Sequence, residues 1–425
     1  MVSTIAVEDL CVGMFVQLEG GWLSHPFPLS SFRIVTVEQI ATIRGLGLKH
    51  QKWVPEKSAL QGDTAALQPP APGASASVTD CTADPALQQH REALLAQRAA
   101  VQRCERQHAE AAKAWRDASD SVGARPQAAG RSTEQLTRAI LDKMLGADDI
   151  GIRLVGGGGD RAATHALNVA VISMLIGRTL GMAEADMLDM GSGALMHDIG
   201  KLEVADRFRH ADEGLNASEL KAYRDHVDKG LLLGQKMALS PGALQVLLQH
   251  HEQADGSGFP HQLRSERTTT AARVVALVNR YDNLCNPQAQ VPALTPHEAV
   301  SMLFSQGPQR FDAAVLNAFI RMMGVYPAGS LVQLTDDRFA MVIGVNSSRP
   351  LKPRVLVHDA RVQRNDALVL DLETAPDLGI RRSLPAAKVP HAALDYLGPR
   401  PRVNYYFEPL QHAAAEEARD TVAAG

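Results

Sequence analysis

The sequence predicts a multidomain protein with a central all-α helical bundle, a small α+β N-terminal domain and a small β-rich C-terminal domain. Three observations predict this fold class. Apolar residues recur with helical spacing between residues 132 and 323, strand-like runs occur before residue 60 and after residue 324, and an Ala-, Pro- and Ser-rich stretch covers residues 61–86. The 425 residues are enough for two to three domains of ordinary size.

The composition is that of a globular protein without an obvious polymer partner. Hydrophobic residues make up 45% and the formal net charge is −4, which argues against a nucleic-acid polymer as ligand. The four cysteines are scattered, as in a reducing compartment. The N-terminus lacks the pattern of a signal peptide, and the most apolar run, residues 166–177, is too short to span a bilayer. We therefore expect a cytoplasmic protein without a membrane span.

The N-terminal part divides into three predicted segments. Residues 1–60 form the α+β domain, with a strand passing into a short helix and a further strand in "KHQKWVPE". Residues 61–86 have little to bury and predict a flexible linker. Residues 87–131 predict a connecting helix and linker, solvated because its apolar positions are sparse, with His90 and His108 on its surface. Such a helix could pair with a copy of itself in a homodimer.

The rest of the chain predicts the bundle and the β-rich domain. Ser132 and Gln135 form a capping-box pattern at the start of a helix whose apolar residues lie on one face, and helical patterns continue to residue 323. Residues 324–410 contain two β-type runs around an Asp-Asp turn and a third in "KPRVLVHD". Residues 411–425 form a polar tail.

Five histidines and one aspartate lie at element boundaries within the predicted bundle: His165, His197, Asp198, His226, His250 and His251. A single histidine is more often a structural residue than a ligand, and a pair at a helix end can be a solvated terminus. Six such residues in an otherwise apolar bundle are a poor way to build a core. Mixed imidazole and carboxylate donors suit Fe, Mn or Zn better than Mg.

A two-metal centre accounts for these residues together. Two metals about 3.5–4 Å apart activate a nucleophile and neutralise the phosphate of a diester. Lys201, three residues after Asp198 in "HDIGK", can add positive charge at the phosphoryl oxygens. The sequence therefore predicts a metal-dependent phosphodiesterase in which Asp198 and Lys201 are catalytic.

The motifs "HDIGK", "HVDKG" and "HHEQADGSGFP" resemble the HD-GYP domain, a branch of the HD phosphohydrolase superfamily, from about residue 132 to 323. The segments "VEDLCVGMFV" and "WLSHPF" resemble the uncharacterised domain that often precedes HD-GYP domains in bacteria. The resemblance implies an HD-type all-α fold and hydrolysis of the bacterial messenger cyclic di-GMP to pGpG and GMP. It also implies a metal centre of iron or manganese and GGDEF-domain proteins as signalling partners.

Carried over residue by residue, the resemblance makes His197 and Asp198 the name-giving pair of metal ligands. It adds His226, His250, His251 and His165 as further ligands and Lys201 as the phosphate contact. The segment "DGSGFP" matches the signature loop, with Asp255, Gly256, Gly258, Phe259 and Pro260 beside the substrate, and this GFP loop would meet the GGDEF partners. Phe259 replaces the signature Tyr, which removes one hydroxyl. Glu252 is expected to brace the loop.

Three departures from the family pattern bear on activity. Arg161 stands where members with three metals carry a Glu, so we expect two divalent ions rather than three. Asn279, in "VNRYDNL", stands where a ligand Asp belongs, and Asp282 matches a separate structural Asp. The basic segment that helps to hold substrate phosphates is replaced by "CNPQAQVPALTP", which contains no Arg or Lys.

The sequence favours a cyclic di-GMP phosphodiesterase whose activity Asn279 and Arg161 weaken. Two alternatives stay open: a degenerate regulatory or scaffold protein that keeps the fold, and a hydrolase of another cyclic dinucleotide or phosphoester. The glycine run before His165 lacks the Gly-Lys-Ser/Thr of a phosphate-binding loop and predicts a simple connection.

Overall fold

The computed structural model describes residues 3–18, 31–34, 37–45, 50–55, 58, 85–147, 149–156, 159–209, 216–287, 291–346, 349–400 and 402–409. The chain forms two compact units, the first ending at Ala93 and the second beginning at Leu94. The predicted linker at 61–86, except its last two residues, and the predicted tail at 411–425 lie outside the described residues. Mainly helical structure between two sheet-containing regions confirms the predicted fold class at this coarse level.

The described residues before 60 form a four-stranded antiparallel sheet and a short helix, an arrangement of the predicted α+β type. The elements are β1 (Ser3–Ala6), β2 (Phe15–Gln17), β3 (Ser31–Arg33), α1 (Val37–Gly45) and β4 (His50–Trp53). The strand order is β1-β4-β2-β3, with Ile5 opposite Gln51 and Val16 opposite both Phe32 and Trp53. Val16, Ile34 and Ile43 are buried between sheet and helix. The predicted metal ligands, residues 165–279, all lie in the second unit.

Two long helices precede the bundle, α2 (Pro85–Ser121) and α3 (Pro126–Leu145). The prediction that the connecting helix is solvated was wrong over its second half, because Cys104, Ala111 and Ala118 are buried. His108 is buried as well, although His90 is exposed as predicted. Alanine and cysteine side chains add little to an apolar sequence pattern, but their small size allows this part of α2 to pack closely against its neighbours.

The capping-box prediction at Ser132 was also wrong. Helix α3 begins six residues earlier, because Pro126 occupies its first turn, where a missing N–H costs nothing. The predicted apolar face is confirmed: Leu136, Ile140, Leu141 and Met144 are all buried. The Trp115 indole of α2 donates a 2.7 Å hydrogen bond to the backbone oxygen of Leu195, close to the predicted metal centre.

The bundle continues with α4 (Arg161–Thr179), α5 (Glu184–Met196), α6 (Ala217–Arg224), α7 (His226–Lys236), α8 (Pro241–Gln249), α9 (Thr270–Cys285), α10 (Pro296–Arg310) and α11 (Ala313–Met323). Helix α4 packs against α5, α9 and α11 and is buried from Ala163 to Gly177, as its apolar sequence predicts. Among the described residues, we find no helix with the length and apolarity needed to cross a bilayer. The bundle therefore surrounds one almost fully buried helix.

The C-terminal sheet contains β6 (Leu331–Leu334), β7 (Phe339–Asn346), β8 (Arg354–Val357), β9 (Val369–Asp371), β10 (Ile380–Ser383) and β11 (Tyr405–Pro409), together with helix α12 (His391–Leu397). The Asp-Asp turn between β6 and β7 is confirmed. One expectation was wrong, since 132–323 is not exclusively helical. Residues Ile150–Leu154 form strand β5, which pairs with both β7 and β11. A five-residue strand between glycine-rich and polar turns gives little periodic signal.

Candidate metal centre

Helix ends position the histidines of the predicted centre. His165 lies within α4, while His197 immediately follows α5 and Asp198 begins a 3-10 turn, Ile199–Glu203. His226 is the first residue of α7, and His250 follows the last residue of α8. All four imidazoles are buried. The structure therefore brings together residues that are up to 85 positions apart in the sequence.

Backbone carbonyls fix the orientation of three of the imidazoles. The Nδ1 atoms of His197, His226 and His250 lie 2.7, 2.6 and 2.8 Å from the carbonyl oxygens of Ala194, Tyr223 and Leu247, each three residues earlier. A carbonyl oxygen can only accept, so each Nδ1 carries the proton and donates it. Each Nε2 is therefore left with a lone pair that points into the centre.

His165 is oriented by a carboxylate instead. Its Nδ1 lies 2.6 Å from Oδ2 of Asp282, whose other oxygen accepts from the Asn168 amide at 2.7 Å. Asp282 is completely buried. A carboxylate behind an imidazole fixes the tautomer and raises the basicity of the outward nitrogen. Asp282 thus supports His165 and does not occupy the place of a ligand, in agreement with the sequence expectation.

The Nε2 lone pairs face one another in two pairs. Nε2 of His165 lies 3.2 Å from Nε2 of His197, and Nε2 of His226 lies 3.4 Å from Nε2 of His250. With each Nδ1 protonated, neither member of a pair has a proton to donate to the other. Burial lowers the pKa of His197 to about 4, so its ring is neutral near pH 7. Two neutral acceptors at this distance require a cation between or beside them.

Asp198 divides its two oxygens between the two histidine pairs. Its Oδ2 lies 3.7 Å from Nε2 of His165 and 3.5 Å from that of His197. Its Oδ1 lies 3.6 Å from Nε2 of His226 and 3.9 Å from that of His250. This carboxylate belongs to two potential ligand groups, one with His165 and His197 and the other with His226, His250 and His251. Asp198 would therefore be a ligand common to both groups if each held a metal ion.

Lys201 neutralises Asp198 from the outside. Its Nζ lies 2.6 Å from Oδ2 of Asp198 and 5.7 Å from the centre of the Tyr223 ring. Burial alone would raise the pKa of Asp198, but Lys201 and the histidines hold it well below its usual range. Burial would lower the pKa of Lys201, but Asp198 more than offsets this and raises it. The carboxylate is thus ionised and the lysine charged in the physiological range.

The polar atoms in this centre fit a divalent cation. Within the described part of the chain, Oδ1 of Asp198 and Nε2 of His251 are buried and have no hydrogen-bond partner. A buried polar atom without a partner costs about 1–3 kcal/mol, more if it is charged. The donor set combines imidazole nitrogens and a carboxylate, which is the chemistry of Fe, Mn and Zn sites.

Asn279 lies near these ligands, but its side-chain oxygen is hydrogen-bonded to Asn283. It is buried on α9 and borders the same cavity as His250 and His251. Its Oδ1 accepts a 2.6 Å hydrogen bond from the Asn283 amide one helical turn later. The oxygen that would replace a ligand carboxylate is therefore already used within α9.

The predicted substrate loop contributes one residue to the cavity. Phe259 borders it and stacks on His251, with ring centres 4.4 Å apart and planes 20° from parallel. Asp255 accepts from the backbone N–H of Ser257 and Gly256 has φ +80°, so both shape the turn. A Cβ at Gly258 would lie 2.5 Å from the His251 carbonyl oxygen. Pro260, with the other loop residues, does not line the cavity.

Glu252 braces this loop, as the sequence predicts. Its two carboxylate oxygens accept from the backbone N–H groups of His261 at 2.7 Å and Leu263 at 2.9 Å. The loop is thereby held against the helix end that carries His250 and His251. Both oxygens are occupied, so Glu252 is not a metal ligand in this conformation.

A cavity of about 630 Å³ opens from the histidines toward α9 and α10. Lys201, His250 and His251 line one part of it. Three arginines that sequence reasoning missed also line it: Arg224, Arg280 and Arg310. They are spread over 87 residues of the sequence. Only Arg280 directly follows a residue, Asn279, that the sequence analysis singled out.

Comparison with protein families agrees with this geometry. Residues 153–315 match the family model described as "HD domain". This part of the chain is similar to HD domains. Residues 3–132 match a second model, described as "Domain of unknown function (DUF3391)". The histidines and Asp198 all lie within the HD domain, and the resemblance noted in the sequence is confirmed.

Two curated relatives of this chain are named as cyclic di-GMP phosphodiesterases. The chain is 27% identical over 361 residues to the cyclic di-GMP phosphodiesterase PA4108 of Pseudomonas aeruginosa, covering 84% of this chain and 85% of that protein. It is 31% identical over 153 residues to the cyclic di-GMP phosphodiesterase response regulator RpfG of Xanthomonas campestris, covering 35% of this chain and 40% of the relative.

Among solved structures, the chain is similar to "Bd1817, a HDG"Y"P protein from Bdellovibrio bacteriovorus". The sequence identity is 13%, the TM-score is 0.40, and the match covers 75% of this chain and 98% of that chain.

Proposed function

We propose that the protein is a metal-dependent phosphodiesterase that hydrolyses cyclic di-GMP to pGpG and GMP. One observation carries the proposal: four buried histidines direct lone pairs at one another in two pairs, with one oxygen of Asp198 at each pair. The relative that covers most of this chain is named as an enzyme of this activity. A buried arrangement of acceptors and one ionised carboxylate has no structural use without cations.

The proposal assigns two divalent ions, iron or manganese, to the two ligand groups that share Asp198. His165 and His197 would hold one ion, and His226, His250 and His251 the other. When bound, two divalent metals lower the pKa of water to give a nucleophile and neutralise phosphate charge. Asn279 would add only a weak further ligand, because its carbonyl oxygen carries no charge and already accepts a hydrogen bond from Asn283.

The chain's own residues prepare the centre for a phosphodiester. The carbonyls behind His197, His226 and His250 and the carboxylate of Asp282 hold the rings in one tautomer. Lys201 holds a positive charge at the border between Asp198 and the cavity, where it can meet a phosphoryl oxygen. Fixed charges and dipoles of this kind stabilise a transition state without reorganisation.

The cavity accommodates a ligand of dinucleotide size. Its volume of about 630 Å³ lies within the range of pockets for small molecules. Leu220, Leu284 and Met302 give it an apolar wall, and Phe259 contributes an aromatic ring. The proposal also includes GGDEF-domain proteins as partners at the GFP loop, residues 255–260, and a homodimer, as the sequence resemblance and the long helix α2 suggest.

A regulatory protein with little turnover is the second candidate. The hydrogen bond from Asn283 to Oδ1 of Asn279 favours it, because this oxygen is engaged away from the histidines. Hydrolysis of another cyclic dinucleotide is a variant of the first candidate, and a relative from Vibrio cholerae is named a 3'3'-cGAMP-specific phosphodiesterase.

The test is product formation by protein loaded anaerobically with Fe²⁺ or with Mn²⁺. We expect pGpG from cyclic di-GMP, detected by chromatography, and loss of this product in His197→Ala. His391→Ala changes an exposed histidine of α12 and serves as the control. Product from a different cyclic dinucleotide alone would reassign the substrate, and no product with either metal would favour the regulatory candidate.

A further inference from the structure

The cavity beside the histidines carries an excess of positive charge. Of the described residues that line it, Arg224, Arg280 and Arg310 are exposed arginines and Glu252 is the one carboxylate. Glu252 is already bound to two backbone N–H groups, and the charge of Lys201 is matched by Asp198. Three guanidinium groups thus remain without a balancing acid in the cavity wall.

Arg280 and Arg310 are held near each other despite their like charges. The Arg280 side chain reaches solvent, but the surrounding cavity wall removes part of its hydration and lowers its pKa, and the proximity of Arg310 lowers it further. Neither guanidinium forms an ion pair within the part of the chain that the structure describes. By contrast, Arg273, about two turns earlier on α9, is paired with Asp312 at 2.6 Å. The pKa of Asp255 is lowered by hydrogen bonds from Ser257 and, to a smaller extent, by Arg310, so one acid lies near Arg310. Asp255 does not line the cavity, and the two guanidinium groups remain available to an anionic ligand there.

Another part of the cavity lining has no positive charge of its own. The segment from Cys285 to Pro296 contains no basic residue, and it contributes Pro287, Val291, Pro292 and Leu294 to the cavity. This wall can pack against a nucleobase but cannot neutralise a phosphate. Positive charge from α9 and the end of α10 replaces what this segment lacks.

We infer that Arg280 and Arg310 bind the second phosphate of a cyclic dinucleotide, the one that is not cleaved. The inference rests on the proposed function. One phosphate at His250, His251 and Lys201 leaves the other within the same cavity, where the two guanidinium groups lie. Guanidinium groups bind phosphate oxygens through paired, charge-assisted hydrogen bonds. Arg224, which lies over the Phe259 ring at 5.1 Å, completes the positive rim.

The experiment measures binding separately from turnover. The probe is the bisphosphorothioate analogue of cyclic di-GMP, titrated into full-length, metal-loaded protein. We expect Arg280→Gln/Arg310→Gln to raise its Kd at least tenfold, with unchanged metal content. The control Arg138→Gln/Arg321→Gln removes two exposed arginines outside the cavity, so its Kd should stay within about twofold of the wild type.

A second substrate distinguishes a loss of phosphate binding at Arg280 and Arg310 from a general loss of activity at the metal centre. Bis(p-nitrophenyl) phosphate has a single phosphate, so its kcat/KM should be the same in Arg280→Gln/Arg310→Gln as in the wild type. An unchanged Kd for the analogue, or an equal loss with both ligands, would overturn the inference. If the wild type binds the analogue but does not cleave cyclic di-GMP, the proposed function fails and the inference stands. If the wild type does not bind, both fail.

Discussion

The Nε2 atoms of His226 and His250 lie 3.4 Å apart, and each ring already uses its Nδ1 to donate to a backbone carbonyl. Two lone pairs at this separation repel each other unless a cation binds them. The same relationship holds between His165 and His197 at 3.2 Å, with Asp198 in contact with both pairs. The backbone carbonyls that accept from Nδ1 hold the rings in place. The facing Nε2 atoms therefore cannot turn away from each other without breaking these hydrogen bonds.

Asn279→Asp should strengthen metal binding. The substitution places a charged oxygen in the cavity that His250 and His251 border, where the amide oxygen is now neutral. We expect roughly tenfold tighter retention of the metals, the factor that about 1.4 kcal/mol of added attraction gives, together with faster pGpG formation. Metal content after dialysis against a chelator is the measurement.

Asn317→Asp, on the exposed surface of α11, adds the same charge away from the cavity and should change neither quantity. Equal metal retention in wild type and Asn279→Asp would show that position 279 does not reach the metals.

Gly200→Ala should disrupt the centre through backbone contact. A Cβ at Gly200 would lie 1.9 Å from the carbonyl oxygen of His226 and 2.4 Å from the nitrogen of Gly230. The turn that carries Asp198 would therefore be forced away from α7. We expect a loss of roughly 1–3 kcal/mol in the free energy of unfolding, as for other overpacked sites, and weaker metal binding.

The matched control lies on the other side of the same contact. A Cβ at Gly230 finds its nearest atoms at 3.5 Å or more, and Gly230 is inside a helix. Gly230→Ala should therefore be neutral or should stabilise by about 0.5–1 kcal/mol. Similar unfolding curves for the two variants would contradict the close approach of this turn to α7.

Asp282→Asn should weaken the site that contains His165. The amide can still accept from Nδ1 of His165, but it no longer raises the basicity of Nε2. Loss of such a supporting carboxylate typically costs 10- to 100-fold in metal affinity, and this range is expected here. Titration of metal into apo protein, followed by calorimetry, gives the affinity of each ion.

Asp395→Asn is the control, because Asp395 also faces Nδ1 of a histidine, His391, but on the exposed surface of α12. It should leave both affinities unchanged. A uniform loss at both metal sites in Asp282→Asn would indicate general destabilisation instead of an effect on His165.

His108 should make the protein sensitive to acid. Burial lowers its pKa to about 4, whereas it is near 6.5 in an unfolded chain. As the pH falls below 6.5, the unfolded chain binds a proton at His108 while the folded protein does not. The free energy of unfolding therefore decreases as the pH is lowered from about 6.5 to about 4. From this residue we expect a loss of about 3 kcal/mol across that window.

His108→Phe keeps a ring beside Tyr406 and removes the proton site. Its free energy of unfolding should therefore fall less than that of the wild type between pH 7 and pH 4. His90→Phe, on the exposed part of α2, should follow the wild type. An identical pH dependence for wild type and His108→Phe would disprove the contribution of His108.

The ligands of the candidate metal centre could be predicted from the sequence, but strand β5 and the arginines of the adjoining cavity could not. The histidines and Asp198 stand out because polar residues at the ends of apolar helices have few structural uses. Strand β5 was missed, since its partners are about 190 and 250 residues away and its own five residues are not periodic. The arginines of the cavity were missed for the same reason, as only folding brings Arg224, Arg280 and Arg310 together.

Local patterns also misled where tertiary packing decides the outcome. The polar sequence of α2 favours a solvated helix, yet its alanines and Cys104 are buried. Asn279 was recognised as a substitution for a ligand, but its hydrogen bond with Asn283 could not be foreseen without the positions of the side chains.

The most direct test of the central claim is a titration of apo protein with Mn²⁺ under anaerobic conditions, with the rate of pGpG formation as the readout. If the two facing histidine pairs and Asp198 hold two catalytic ions, the rate should rise from zero and saturate at about two Mn²⁺ per chain. Absence of pGpG at every Mn²⁺ and Fe²⁺ concentration, or a rate that does not depend on added metal, would contradict the account.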